Sequence, residues 1–185
     1  EQIQSDAKWL IRIVENLLSV TRLSSTSAKL AKKEEIVEEV VSEAVSRIQS
    51  RFPQAQIMVS VPQELLLVSM DATLIEQVII NLLENAIVHA DSDQPLELSV
   101  KVEQTQALFM IRDHGKGVPV SLLPHFFEGK DLMKKPDASR GLGIGLPICK
   151  SIIKAHGGTI YAENMLDGGL QVVFSLPISE EVFHA

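Results

Sequence analysis

The residues that can do chemistry fall in three places. The first is a helical segment, Ala72 to about Ala90, in which Gln77, Asn81, Glu84 and Asn85 gather on one side while Ile75, Ile79, Leu82 and Ala86 share the other, taking about 100° per residue. Two Asn at i and i+4 give up helix propensity. A carboxamide, however, offers a donor and an acceptor without charge, and so can hold a metal ion or hydrogen-bond a phosphate. Alone, the pair reads first as a solvated helix face. The second place is Asp113-His114-Gly115-Lys116-Gly117, directly after an apolar run ending Met110-Ile111. A carboxylate at a strand's end, followed by glycines that admit a ligand to the backbone, can accept a hydrogen bond from an exocyclic amine such as that of adenine. When buried, such a charge-assisted bond contributes roughly 1.5 to 3 kcal/mol. By itself the stretch also reads as a plain turn. The third place is Gly141-Leu142-Gly143-Ile144-Gly145-Leu146, opening a helix that has Pro147 in its first turn. Glycines ahead of a helix N-terminus leave N–H groups and the positive dipole end free to meet a phosphate; close backbone packing explains them equally well. There is no GxGxxG after a first strand and no GxxxxGK[ST], so neither the dinucleotide fingerprint nor the P-loop applies.

Each segment needs an element to hold it. Asp71 is the expected N-cap of the helix at 72–90. Before it, the spacing predicts a short strand near Lys32 to Ile36 and a helix over 37–51, with Val37, Val40, Val41, Ala44, Val45 and Ile48 on one face and Pro53 as its stop. A strand over 56–61 alternates Ile57, Val59 and Val61. Further on, Leu96 to Glu103 and Ala107 to Ile111 read as a hairpin, and 113–140 as a polar, irregular stretch. Leu146 to His156 reads as a helix stopped by Gly157-Gly158. Thr159 to Glu163 and Leu170 to Leu176 then form a second hairpin across Asp167-Gly168-Gly169. The order predicts one sheet covered by helices. At the front, Ile3, Ala7, Leu10, Val14 and Leu17 recur at steps of four and three, a coiled-coil seam too short to stand without a partner helix. An amphipathic helix packed on the domain has the same spacing. Ser24-Ser25-Thr26-Ser27 suits a hinge.

Composition limits what such sites can serve. At 185 residues, 45% of them apolar, the chain can bury a core without disulfides, and its single cysteine, Cys149, has no partner within the chain. That points to a reducing, cytosolic compartment. Apolar runs such as Val78-Ile79-Ile80 and Leu82-Leu83 are cut by Asn81, Glu84 and Asn85, short of the roughly 18 to 20 residues of a membrane span. No signal peptide is visible. A net charge of −7, from 17 Lys and Arg against 24 Asp and Glu, with 4% aromatics, argues against a nucleic-acid partner. Any phosphate-bearing ligand must be held by local geometry.

Taken in order, Asn-x-x-x-Asn on a helix, Asp-x-Gly-x-Gly after a strand and Gly-x-Gly-x-Gly opening a helix strongly resemble the N box and the two glycine boxes of the ATP-binding domain of sensor histidine kinases. These belong to the superfamily shared with DNA gyrase and the Hsp90 chaperones. Asp71 to Ala86, His156-Gly157-Gly158-Thr159-Ile160 and the closing Gly168-Gly169 to Leu176-Pro177 extend the likeness over essentially the whole chain. Within the family the sequence is similar to the potassium-responsive sensor kinases of bacteria. The resemblance implies an α+β fold, a two-layer α/β sandwich with a mixed sheet of about five strands covered by three helices and preceded by a long N-terminal helix. It divides the chain into the second helix of a dimerisation and phosphotransfer hairpin (1–24), a linker (25–33), the ATP-binding catalytic domain (34–179) and a tail (180–185).

The resemblance also implies ATP and Mg²⁺ as cofactors. Asn85 would bind the Mg²⁺ that bridges the phosphates, Asn81 would sit beside the phosphates as a catalytic residue, and Asp113 would recognise the adenine amino group, with Gly115 and Gly117 shaping the pocket. Gly141, Gly143 and Gly145, with Leu142, Ile144 and Leu146, would meet the phosphates and let the intervening segment close as a lid. Glu84 would orient or deprotonate the receiving imidazole. The implied partners are a phosphoacceptor histidine hairpin, a response-regulator receiver domain and a second copy through the N-terminal helix, in a membrane-bound parent sensor. The sequence departs from the family in three respects. None of His89, His114, His125, His156 and His184 precedes an acidic residue on a first hairpin helix, so the acceptor lies outside this chain. Val88 stands where the family commonly has Lys, leaving Lys116, Lys130 and Arg140 to compensate and His89 to assist. Phe126-Phe127-Glu128-Gly129-Lys130 resembles the F box with Lys130 in place of a second Phe. These departures sustain two other readings: a catalytically weak, pseudokinase-like dimerisation module, and a serine kinase or ATPase of the same superfamily.

Overall fold

The structure, a computed structural model, describes residues 30–128 and 145–178. The expected N-terminal helix, the hinge, the lid segment 129–144 and the tail lie outside the described residues.

Strand β1 (Lys33–Ile36) leads directly into helix α1 (Val37–Arg51), whose six apolar residues at helical spacing are all buried. Pro53 disfavours helical backbone at Phe52, which leaves the helix at φ −126° and ψ 73°. Strands β2 (Ile57–Ser60) and β3 (Leu67–Met70) follow, then helix α2 (Ala72–His89). Asp71 caps α2 by accepting a hydrogen bond from the Leu74 N–H at 3.3 Å. Strands β4 (Leu96–Glu103) and β5 (Gln106–Arg112) form a hairpin, a 3₁₀ turn spans Val120–His125, and helix α3 (Gly145–Ala155) precedes the hairpin of β6 (Ile160–Asn164) and β7 (Leu170–Pro177). After α3 the chain turns out at Gly157, φ 83°, and the Gly158 N–H donates to the Ile153 carbonyl at 3.0 Å. Any side chain on Gly158 would collide with the Ser175 carbonyl of β7, so a glycine is needed where α3 hands over to the sheet.

Five strands form one sheet in the order β2-β4-β5-β7-β6. It is mixed, because β2 runs parallel to β4, with Ile57 opposite Leu96, while the other pairs are antiparallel. Leu98, Phe109 and Phe174 from its inner face share one core with the buried faces of all three helices, and the Phe109 and Phe174 rings stack at 4.5 Å. This is the two-layer α+β sandwich that the resemblance implies. Among the described residues no helix is long and apolar enough to cross a membrane.

Two expectations are corrected. The sequence reading places no strand over 62–70 and only one sheet, whereas β3 pairs antiparallel with β1 as a separate two-stranded sheet, Ile36 opposite Leu67. Leu65-Leu66-Leu67-Val68 hides the period of two, although Leu66, Val68 and Met70 alternate as buried residues once β1 supplies a partner. Val59, which alternates with Ile57 and Val61, is 45% exposed on β2, an edge strand paired on one side only.

Candidate functional site

The middle of α2 is buried nearly all round. Asn81 and Glu84 are 8% and 5% exposed, which a solvated helix face does not produce. Polar groups buried this deeply are costly unless paired. Glu84 meets Arg51, at the C-terminal end of α1, with Nη2 3.2 Å from Oε1. Asn81 Oδ1 accepts a hydrogen bond from Gln77 Nε2, one turn back, at 3.0 Å. Asn81 Nδ2 is buried with no nitrogen or oxygen partner among the described residues. Gly145, the first residue of α3, lies against this amide so closely that a Cβ there would touch Cγ, Nδ2 and Oδ1 at 3.5 to 3.7 Å. Cys149, one turn into α3, is the weak sulfur acceptor beside this amide; burial pushes its thiol up to about 12, against a smaller lowering by a hydrogen bond from Asn81. Asn85, a turn beyond Asn81, is half-buried, and Val88 and His89 are exposed.

Asp113, at the end of β5, is 7% exposed. Its Oδ1 accepts from the Gly115 N–H at 2.9 Å and from the Leu170 N–H at 3.2 Å. Both bonds go to Oδ1 rather than Oδ2. The loop is braced from two sides. Gly115 packs on the Ala90 carbonyl just past α2, where any side chain would collide, and Gly169, at φ 91°, packs on the Asp113 carbonyl in the same way. Asn164, closing β6, accepts from the Val118 N–H at 2.9 Å and donates to its carbonyl at 2.6 Å, beside Gly117. Outside them, Arg112 reaches Asp167 at 2.6 Å and holds that carboxyl below its usual range.

Two groups of sequence-expected residues therefore flank the C-terminal half of α2. Asn81 meets Gly145 at the start of α3, where Leu146 follows, with Asn85 one turn further along α2; Asp113, Gly115 and Gly117 gather at the far end of α2, with Lys116 exposed. Asn81 to Ala90 is nine residues, or about 13 Å of helix axis. Leu146 buries its side chain in the core and Pro147 has no N–H, so what α3 offers an anion is backbone N–H from Gly145, Leu146 and Ile148. Lys130, Arg140, Gly141, Leu142, Gly143 and Ile144 lie outside the described residues. His156 is a packing residue: its Nδ1–H donates to the Ile152 carbonyl at 2.8 Å, and Nε2 accepts from the Asp71 N–H at 3.1 Å. Burial holds its pKa below the ordinary value. Sequence reasoning missed Arg51 and Asn164, since no local pattern ties either to its distant partner.

Residues 70–180 match the family of histidine kinase-, DNA gyrase B- and HSP90-like ATPases. The chain belongs to that family. Over 177 residues, 95% of its length, it is 45% identical to the sensor protein KdpD of Clostridium acetobutylicum, of which it spans 20%. Its fold is similar to the catalytic domain of the histidine kinase ThkA, with a TM-score of 0.71 and 26% identity over 82% of this chain and 99% of that one. Full-length ShkA, solved in complex with AMPPNP, shares the fold over 92% of this chain at a TM-score of 0.76 and 21% identity. The chain is an ATP-binding catalytic domain of the sensor histidine kinase kind.

Proposed function

We propose that this domain binds Mg²⁺-ATP along the C-terminal half of α2 and hands the γ-phosphate to a histidine outside this chain. One observation supports it most: a buried carboxamide N–H₂ without a nitrogen or oxygen partner among the described residues lies against the first residue of α3, whose backbone N–H groups and dipole favour an anion. Buried donors are normally paired, and an exception in a native fold calls for a ligand or a strained role. Asp113 is the adenine-reading group in this proposal. Its Oδ1 is fixed by two backbone donors, so Oδ2 has a set direction and can accept from an exocyclic amine.

The donor set fits Mg²⁺. Among the described residues no three His, Cys, Asp or Glu gather to hold a metal ion, and a nucleotide-held Mg²⁺ needs only one or two protein oxygens beside phosphate and water. Asn85 supplies a carboxamide oxygen, and bound there the cation would neutralise charge on the β- and γ-phosphates. Glu84 is buried and engaged by Arg51, and in this proposal it orients the acceptor imidazole rather than deprotonating it, since a neutral imidazole is nucleophilic and needs no strong base. The acceptor histidine hairpin, a receiver domain as next recipient, and self-association through residues 1–24 belong to the same proposal. Calorimetric titration with ATP and Mg²⁺ is the test: binding is expected in the parent, with a roughly ten- to hundredfold loss in Asp113→Ala. No binding, or unchanged affinity in that variant, overturns the assignment. Transfer to an added hairpin domain should yield an acid-labile phosphate; an acid-stable product would favour a hydroxyl acceptor.

A further inference from the structure

A carboxamide is nearly symmetric in shape and opposite in its two ends. At Asn81 the choice of end matters, because only the N–H₂ end can donate to a phosphate oxygen, whereas the carbonyl end would repel it. We propose that Gln77 makes this choice: by donating from Nε2 to Asn81 Oδ1 it turns Asn81 Nδ2 toward the nucleotide, and so acts as a positioning residue for phosphate binding. The inference rests on Asn81 facing the phosphates.

Four features of the site carry it. Gln77 and Asn81 are one turn apart on α2, the spacing at which side chains on a helix meet. Their bond, at 3.0 Å, occupies the acceptor end of Asn81. The opposite end is buried and meets no nitrogen or oxygen acceptor among the described residues, at an energetic cost that a purely packed helix contact would avoid. The remaining neighbours leave that end available: Gly145 has no side chain, and the neutral thiol of Cys149 is a weak acceptor.

Substitutions that keep a donor, an acceptor or neither separate this from a structural role. Gln77→Lys can only donate to Asn81, Gln77→Glu can only accept and favours the reversed amide, and Gln77→Met does neither. Each is made in the whole chain, alone and combined with Asn81→Ala, and titrated with Mg²⁺-ATP and with adenosine. The expected order is Lys near the parent, Met weakened roughly fivefold and Glu roughly tenfold or more for Mg²⁺-ATP, with adenosine affinity within about twofold throughout. On Asn81→Ala, Met should cause no further loss, and the gap between Lys and Glu should shrink to what bare charge contributes. Three results would overturn the inference: equal affinities across the series, an unchanged Lys-to-Glu gap without Asn81, or a parallel loss of adenosine binding. If the Glu variant does not fold, Lys against Met decides alone. Unaltered Mg²⁺-ATP binding in Asn81→Ala itself is a different failure, since it removes the phosphate-facing reading of Asn81.

Discussion

Val88 shows how much a single side chain can matter on α2. It follows Asn85 on the same stripe and is 37% exposed, but its two methyl groups cannot offset phosphate charge. Val88→Lys is expected to tighten Mg²⁺-ATP binding roughly threefold to tenfold at low ionic strength, with the gain shrinking as salt screens it. Displacement of a fluorescent nucleotide at two salt concentrations measures this, and no gain at low salt would mean that the stripe beyond Asn85 faces away from the ligand. The residues proposed to touch ligand were legible at this scale because their chemistry is out of place where they stand. Asn81 and Asn85 interrupt an apolar helix, and Asp113 ends an apolar strand. Their supports were not legible. Arg51 lies 33 positions from Glu84, and Asn164 lies 46 positions from Val118, and a pairing at that range leaves no periodicity behind.

Between elements, His156 is the joint whose state can be tested. It ends α3 and binds the N–H of Asp71, the residue that caps α2, so one ring couples the start of one helix to the close of another. Lys32 Nζ, 3.1 Å from the His156 carbonyl, and the Asp71 carboxylate are the charged groups beside it. The fold holds the ring neutral, whereas the unfolded chain takes up a proton below about pH 6.5. Below that value the unfolded state binds more protons, so the contribution of His156 is complete above it and is lost as pH falls toward the lower folded pKa. Urea midpoints between about pH 7.5 and 5.5 should fall in the parent and fall less in His156→Gln, which can keep both bonds without titrating. Equal slopes would mean that other groups set the acid response. Helices α1, α2 and α3 and both hairpins were legible from their periods. Strand β3 was not, because the apolar run Leu65 to Val68 overlaps its start and hides the alternation that pairing with β1 reveals.

For the molecule as a whole, β1, β3 and the five-stranded sheet close around a core formed by residues 30–128 and 145–178. The proposed ligand contacts on α2, α3 and the Asp113 loop all belong to that body. Removing residues 1–29 is therefore expected to leave Mg²⁺-ATP affinity within about twofold, because a domain with its own core binds without its neighbour. Self-association, if it resides in the Ile3 to Leu17 seam, should disappear in the same variant. Calorimetry and sedimentation on the shortened chain read the two outcomes separately, and a large drop in affinity would tie the leading segment to nucleotide binding.

The bond from the Leu170 N–H to Asp113 also has a consequence for biogenesis. These residues are 57 positions apart, and the second of them opens the last strand described. During synthesis, a chain halted before Leu170 would already contain the residues of α2, the β4–β5 hairpin and α3, yet the carboxylate proposed to read adenine would lack one of its two braces. If Asp113 reads adenine as proposed, competence to capture nucleotide arrives with the final hairpin, and a C-terminally clipped domain is expected to leave ATP free.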